Sequence, residues 1–365
     1  MVVAHCAGMV DLVALPVWVG ALVERFGFRP QEAGAMATLF LLGAVVASAF
    51  VAPLLNRLNQ RLVATVGFGV ATVSFYLAST QTAFVALCGL HILAGLAVGT
   101  GLSMVHGTMG RSENPHRLFA LAGMAVGLMG ILLLGAIPQL MILQGGPALF
   151  RVFALVMAVA TVACALLFLN PSATAPEQHA PFGRAVWFTI FGISVMTFNQ
   201  AMVFSFVEVI GKARGFEAGS VLAVLVALGI VNFLLPSPLA AILQKRVPAP
   251  LVVQLGPAVQ TVVAVVVTTA GAFSVWAPAA AVFVAIQIFT HTFAFGLLAR
   301  LDPSGRAVAA TPAMLMIGAA LGPLIGGLLG EHFGFGALGL AAVLVAFVSI
   351  TFFTKAKTFA EVALA

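Results

Sequence analysis

The sequence predicts an all-α membrane protein with twelve transmembrane helices in two six-helix bundles. Three observations predict it: a composition too apolar for water, twelve apolar stretches of spanning length, and features that recur half a chain apart. Of 365 residues, 62% are hydrophobic and only 7% are charged, and mean hydropathy is +1.18. A soluble chain of this length needs a charged surface that these residues do not supply. Apolar runs of about 18 residues or more are long enough for the hydrocarbon core. They fall at 2–23, 33–55, 62–80, 83–107, 118–143, 149–169, 185–210, 219–243, 250–271, 276–299, 308–329 and 335–354. Twelve spans of roughly 20 residues take up about 240 positions, so no separate soluble domain fits. Apolar runs continue to the C-terminal end, so the first reads as a span and not as a lone signal peptide. Its abrupt start at Met1 leaves room for residues upstream.

One stretch has the composition of a linker, with Pro171, Ser172, Thr174, Pro176, Glu177, Gln178 and Pro181. The expected domains are an N-terminal bundle at 1–170, a cytoplasmic linker at 171–183 and a C-terminal bundle at 184–365. Gly27-Phe28 follows span 1 and Gly215-Phe216 follows span 7, an offset of 215 − 27 = 188. Arg111 and Arg117 flank the 4–5 loop as Arg300 and Arg306 flank the 10–11 loop, at 300 − 111 = 189. Glu32-Ala33-Gly34 echoes Glu217-Ala218-Gly219 at 185, which suggests small insertions between the copies. Together these matches fit two parallel six-span repeats.

The net charge of +6 and pI near 9.9 raise the question of nucleic acid, but the placement of the charges answers it. With the N-terminus in the cytoplasm, that side holds 11 of the 16 Lys and Arg residues and the outer side holds 5. Cytoplasmic loops retain basic residues during insertion, so the balance reads as orientation, with both termini cytoplasmic. Cys6, Cys88 and Cys164 form no metal or disulfide spacing and read as small apolar residues.

The layout of six plus six spans, the central linker and the basic 2–3 loop resemble the major facilitator superfamily of transporters. The family's loop motif is Gly-x-x-x-Asp-Arg-x-Gly-Arg-Arg/Lys. Here the stretch runs Ala52 to Arg61: Arg57 and Arg61 match, Asn56 replaces the Asp, and Ala52 and Asn59 replace the glycines. The resemblance implies a cytoplasmic gate in this loop, whose charge pairing the neutral Asn56 weakens. Lys245 and Arg246 occupy the corresponding 8–9 loop. A second family motif, Gly-x-x-x-Gly-Pro-x-x-Gly-Gly, is complete as Gly318, Gly322, Pro323, Gly326 and Gly327. In family antiporters it lies in span 5; here it lies in span 11, while span 5 has Gly123, Gly127, Gly130 and Gly135. Small residues at this spacing also serve simply as a seam where two helices pack closely. The resemblance further implies a multi-pass protein of a cell membrane, the inner membrane in a bacterium, with spans 1, 4, 7 and 10 lining a central cavity.

A charged group at bilayer depth is costly and reads as functional by default. Asp11 is the one acidic residue near the middle of a span, and its repeat mate, at 11 + 188, is Asn199. Apolar surroundings disfavour the charged form of any carboxylate. Asp11 is therefore the expected proton-coupling residue, alongside a purely structural reading in which it pairs with a polar group of a neighbouring helix. His291 is the expected second proton-coupling residue, with Gln287 one turn earlier and Thr290 beside it. Trp18, His91, Asn199, Gln200, Gln287 and Thr290 are the expected lining of a substrate cavity. For His91 the competing reading is tight packing beside Gly95 and Gly99, and for Trp18 an interfacial anchor. Glu208 and Lys212 read as a solvated ion pair at the outer interface. His5 and His106 fall near the cytoplasmic face, and Asn232, Gln254 and Gln260 add polarity to spans 8 and 9.

No Lys or Arg lies deep in a span, which disfavours strongly anionic solutes, and no sequence pattern marks a metal site, a nucleotide loop or a cofactor. The expected function is secondary active transport of a small neutral or cationic, fairly apolar solute, by proton-coupled export. The expected partners are that solute, protons and the bilayer, with no nucleic acid, in a monomer that is not an enzyme. Two alternatives stay open: an uptake carrier or uniporter for a metabolite, and a non-transporting membrane sensor on a transporter fold.

Overall fold

The computed structural model describes every residue except 52, 53, 56, 113, 114, 169–180, 303–306, 308–310 and 365, and omits the side chains of 115, 116, 120, 241, 311–313 and 361–364. Asn56, Arg306 and residues 171–180 of the expected linker therefore lie outside the described residues. Among the described residues, twelve helices are long and apolar enough to cross a membrane. Spans 1–6 are Val2–Glu24, Pro30–Val51, Gln60–Ala78, Phe84–Met109, Arg117–Gln144 and Ala148–Leu167. Spans 7–12 are Arg184–Ala213, Ala218–Ala240, Ala249–Thr269, Phe273–Leu301, Met314–Phe333 and Gly336–Ala360. The last helix runs on to Leu364, past the expected end at 354.

An all-helical build follows from the solvent. In lipid every backbone N–H and C=O needs an internal partner, and a helix supplies them all. Side-chain hydroxyls are satisfied the same way: Thr189, Thr197, Thr268 and Thr290 each donate to the carbonyl four residues earlier, at 2.8–2.9 Å. Large apolar side chains face outward, with Val85 81%, Leu143 79% and Leu340 73% exposed, as hydrocarbon surroundings allow.

Among the described residues, four spans are broken. Span 1 is interrupted at Met9 (φ −106°, ψ 13°) and restarts as Val10–Glu24. Span 7 is interrupted at Ser205-Phe206, where the Ser205 hydroxyl turns back on the Ala201 carbonyl. Span 8 breaks at Leu235 and span 11 at Leu321, each just before a helix with proline in its first turn, Pro236 and Pro323.

The chain forms two compact units, Met1–Glu177 and Gln178–Ala365. In the first, span 4 packs on spans 2 and 3, span 3 on span 6, and span 1 on spans 5 and 6. In the second, span 10 packs on 8 and 9, span 9 on 12, and span 7 on 11 and 12, the same pairs six spans later. Among the described residues the backbone has four glycines with positive φ, and they form two repeat pairs. Gly27 (72°) pairs with Gly215 (79°) at 188, and Gly145 (80°) pairs with Gly334 (77°) at 334 − 145 = 189. Each closes a short turn in a conformation that only glycine adopts freely.

The repeat register corrects one expectation. The next helices start at Pro30 and Ala218, still 218 − 30 = 188 apart, so no insertion falls there. Glu217 caps its helix, accepting from the N–H groups of Gly219 (2.7 Å) and Ser220 (2.6 Å). Glu32 lies inside the first turn and reaches back to the Arg29 N–H at 3.0 Å. The Glu-Ala-Gly echo joins two residues with different capping roles and is out of register.

Candidate functional site

In unit 1 the break at Met9 decides the surroundings of Asp11. A new helix begins at Val10, so Asp11 occupies its first turn. The positive end of a helix dipole and unfilled backbone N–H groups lie there. The Asp11 side chain is fully buried, and neither carboxylate oxygen has a well-formed hydrogen bond among the described residues. The N–H groups of Asp11 and Leu12 approach it without completing one. Two turns on, Trp18 is fully buried in rings from four other spans. Phe40 is 5.2 Å away, Phe153 5.0 Å, His91 5.4 Å and Phe75 6.1 Å between centroids. His91 Nδ1 donates to the Leu87 carbonyl at 2.7 Å, and its Nε2 has no partner among the described residues. Trp18 and His91 thus take part in packing the inside of unit 1, and their surroundings add nothing for a role in lining a cavity.

Unit 1 also holds a contact that sequence reading missed. His5 of span 1 and His106 of span 4 meet at 2.8 Å (Nδ1 to Nε2), with Phe119 of span 5 against both rings. The residues are 101 apart, so no local spacing announces the pair.

Unit 2 is organised differently. Asn199 donates to Gln260 (3.1 Å), Gln260 to Gln287 (2.9 Å) and Gln287 to the Thr197 hydroxyl (2.8 Å). Thr197 in turn donates to the Ile193 carbonyl at 2.8 Å. All four side chains are buried, and they tie spans 7, 9 and 10 together. Asn199 Oδ1 is left without a partner among the described residues. Two members, Asn199 and Gln287, were expected at the site. Gln260 was noted only as polar, and Thr197 was missed. The signal available was polar side chains inside otherwise apolar spans.

The remaining expected residues are scattered. Gln200 is half-buried, and Thr290 is buried with its hydroxyl returned to Ile286. His291 is half-buried and stacked on Phe295 at 4.9 Å, with Nδ1 lacking a partner among the described residues. Arg57, Arg61, Lys245 and Arg246 are exposed, and Arg61 caps the Ala165 carbonyl of span 6. Lys212 does pair with Glu208, at 2.7 Å, but Glu208 is only 5% exposed, so the pair is not the solvated one expected. Gly318, Gly322 and Gly326 press against span 7. A Cβ on Gly322 would lie 2.6 Å from the Ala201 Cβ, and one on Gly326 2.5 Å from the Met202 carbonyl. Pro323 and Gly327 are buried beside them. Among the described residues, no group of three or more His, Cys, Asp or Glu side chains is placed to hold a metal.

Solved structures share this architecture. A bacterial homologue of the human lysosomal transporter Spinster, inward-facing and unoccupied, superposes with a TM-score of 0.75 at 12% identity, covering 99% of this chain and 96% of that one. Its occupied form gives 0.76 at 11% identity, covering 98% and 95%. A mutant of the nucleoside transporter NupG gives 0.71 at 12% identity, covering 98% of each chain. At these identities the likeness is one of fold. No curated protein matches by sequence. The sequence model described as Major Facilitator Superfamily matches residues 1–304, most of the chain. The chain therefore belongs to the major facilitator superfamily.

Proposed function

We propose that this multi-pass membrane protein moves a small neutral or cationic, fairly apolar solute by alternating access, as a proton-coupled exporter in which Asp11 carries the proton. The observation that carries this reading is the state of Asp11. It is a buried carboxyl at a helix break, with no cation beside it and no completed hydrogen bond among the described residues. Burial opposes its charge and the start of the helix favours it, and among the described residues no cation fixes the balance, so its charge can follow proton or solute. His291, whose Nδ1 has no partner among the described residues, is proposed to assist. The 11-to-5 placement of basic residues supports cytoplasmic termini. In this reading the protein is a monomer of a cell membrane, the inner membrane in a bacterium.

The test is flux in vesicles reconstituted with purified protein under an imposed pH gradient, scanning apolar amines. Wild type is expected to concentrate a substrate against its gradient. Asp11→Asn is expected to keep binding and lose gradient-driven accumulation. Unchanged accumulation in Asp11→Asn removes the coupling role. One observation favours a second reading, an uptake carrier or uniporter. The Gly-Pro motif that family antiporters carry in span 5 forms the span 7–11 seam here. Flux direction, measured with the gradient reversed, separates the two.

A further inference from the structure

The direction of the hydrogen-bond chain in unit 2 is set at one end. Thr197 has a single hydroxyl proton, and it goes to the Ile193 carbonyl at 2.8 Å. Towards Gln287 the hydroxyl therefore acts as acceptor, and Gln287 has to present its NH2. That turns Gln287 Oε1 to Gln260, which then presents its own NH2. Gln260 Oε1 in turn receives Asn199 Nδ2. Each amide orientation follows from the one before, and the chain ends on Asn199 Oδ1. Running the chain backwards would give up the Thr197–Ile193 bond and would still leave one Asn199 atom unmatched. Asn199 is 2% exposed, and this oxygen has no partner among the described residues. A buried carbonyl in that condition is a standing demand for a donor.

We propose that unit 2 presents Asn199 Oδ1 as a fixed hydrogen-bond acceptor for the transported solute, locked in direction by Gln260, Gln287 and Thr197. The proposal rests on the solute-transport reading above and narrows it. The solute carries an N–H or O–H donor, as a primary or secondary ammonium or a hydroxyl does, and a quaternary ammonium of the same shape is discriminated against. Asn199 is the contact residue. Thr197, Gln260 and Gln287 are positioning residues, acting through it.

The test has one arm that needs no solute. In Asn199→Asp the new side chain has to keep its proton to donate to Gln260. The folded state then binds that proton more tightly than the unfolded chain does, and stability declines as pH rises. The thermal midpoint of the detergent-solubilised full-length variant, relative to wild type, is expected to fall by several degrees between pH 5 and pH 8. Asp11, His291 and Glu208 are present in both proteins and cancel in the difference. A flat or rising difference overturns the assigned direction.

The second arm uses benzylammonium and benzyltrimethylammonium, which share ring and charge and differ in N–H donors. Wild type is expected to bind benzylammonium about tenfold more tightly, the worth of one charge-assisted hydrogen bond. Asn199→Leu is expected to bring the ratio near one. Equal binding by wild type, or binding of neither probe, overturns the solute assignment. If Asn199→Asp does not fold, Thr197→Ser and Thr197→Val decide. Ser is expected to keep the ratio and Val to lose it, and a Val variant that keeps it overturns the proposal. Neither arm reads a proton gradient, so failure of Asp11 coupling and failure of this inference are separable.

Discussion

Units 1 and 2 pair the same helices but place their closest backbone approach differently. In unit 1 it lies between spans 2 and 4. A Cβ on Gly43 would sit 2.9 Å from the Ile92 carbonyl, and one on Gly99 would sit 2.6 Å from the Ala44 Cα. At the repeat register those glycines become Val231 (43 + 188) and Ile288 (99 + 189), so the matching seam of unit 2 cannot close as tightly. There the close seam is between spans 7 and 11, on Gly318, Gly322 and Gly326. Its unit 1 counterpart is loose: Gly130 has Val13 at 3.6 Å, and Gly123 has open space around it. The repeat has kept which helices touch and shifted where they touch hardest. Without a hydrophobic drive between helices in lipid, that shift matters, because close packing is what holds such helices together.

The largest expected effect breaks this contrast directly. Gly322→Leu drives a side chain into Ala201 and Met202 and is expected to abolish the monodisperse peak on size exclusion. Gly123→Leu, with the same chemistry in span 5, is expected to leave it intact. Equal behaviour of the two variants dissolves the contrast. Next comes the aromatic core of unit 1. Trp18→Ala empties the centre of a five-ring cluster. Such deletions cost about 3–5 kcal/mol in water-soluble cores. The transfer share is smaller when the unfolded helices stay in lipid, so about 2–4 kcal/mol is expected here, read as denaturant-dependent loss of tryptophan-reported structure. In unit 2 the corresponding cut is Gln260→Leu, which strands Asn199 and Gln287 and is expected to cost about 1–3 kcal/mol in the same assay. A Gln260 variant more damaging than the Trp18 one would reverse the ranking of the two cores.

The smallest effect is at a surface cap. Hydrogen bonds from the Ser220 hydroxyl and the Gly219 and Ser220 N–H groups hold the exposed Glu217 carboxyl below the usual glutamate range. A depressed carboxyl contributes stability above its unfolded pKa, and that stability is lost as pH falls through the folded value. Glu217→Gln should therefore lower the thermal midpoint slightly at pH 7, and the difference should vanish in acid. A difference that grows in acid would show that the cap is not the source.

Most of the fold was legible in the sequence because lipid imposes one requirement everywhere: about twenty apolar residues per crossing. The positions of Gly27 and Gly215 exposed the repeat because their positive φ tolerates little else. The break at Met9 was not legible. No proline marks it, and Gly8 beside it serves to admit Leu102, where a Cβ would lie 2.5 Å away. Asp11 and Asn199 stood out as polar groups at matched positions, but their surroundings did not. A carboxyl among apolar neighbours and an amide tied to Gln260 look alike until the spans are packed. The packing of Trp18 and His91 was not legible either: Phe40, Phe75 and Phe153, scattered over three spans, converge on Trp18 only in the fold.

The paired turn glycines also bear on how the chain is made. Gly145 leaves three residues between Gln144 and Ala148, and Gly334 leaves two between Phe333 and Gly336. Chain this short reaches only about 10 Å at full extension, far less than the roughly 30 Å thickness of the hydrocarbon layer. Neither helix of such a pair can be threaded while its mate waits on the far side. Spans 5 and 6, and likewise 11 and 12, are thus tied into tight hairpins, so a charge misplaced in one of them is expected to hinder insertion of both.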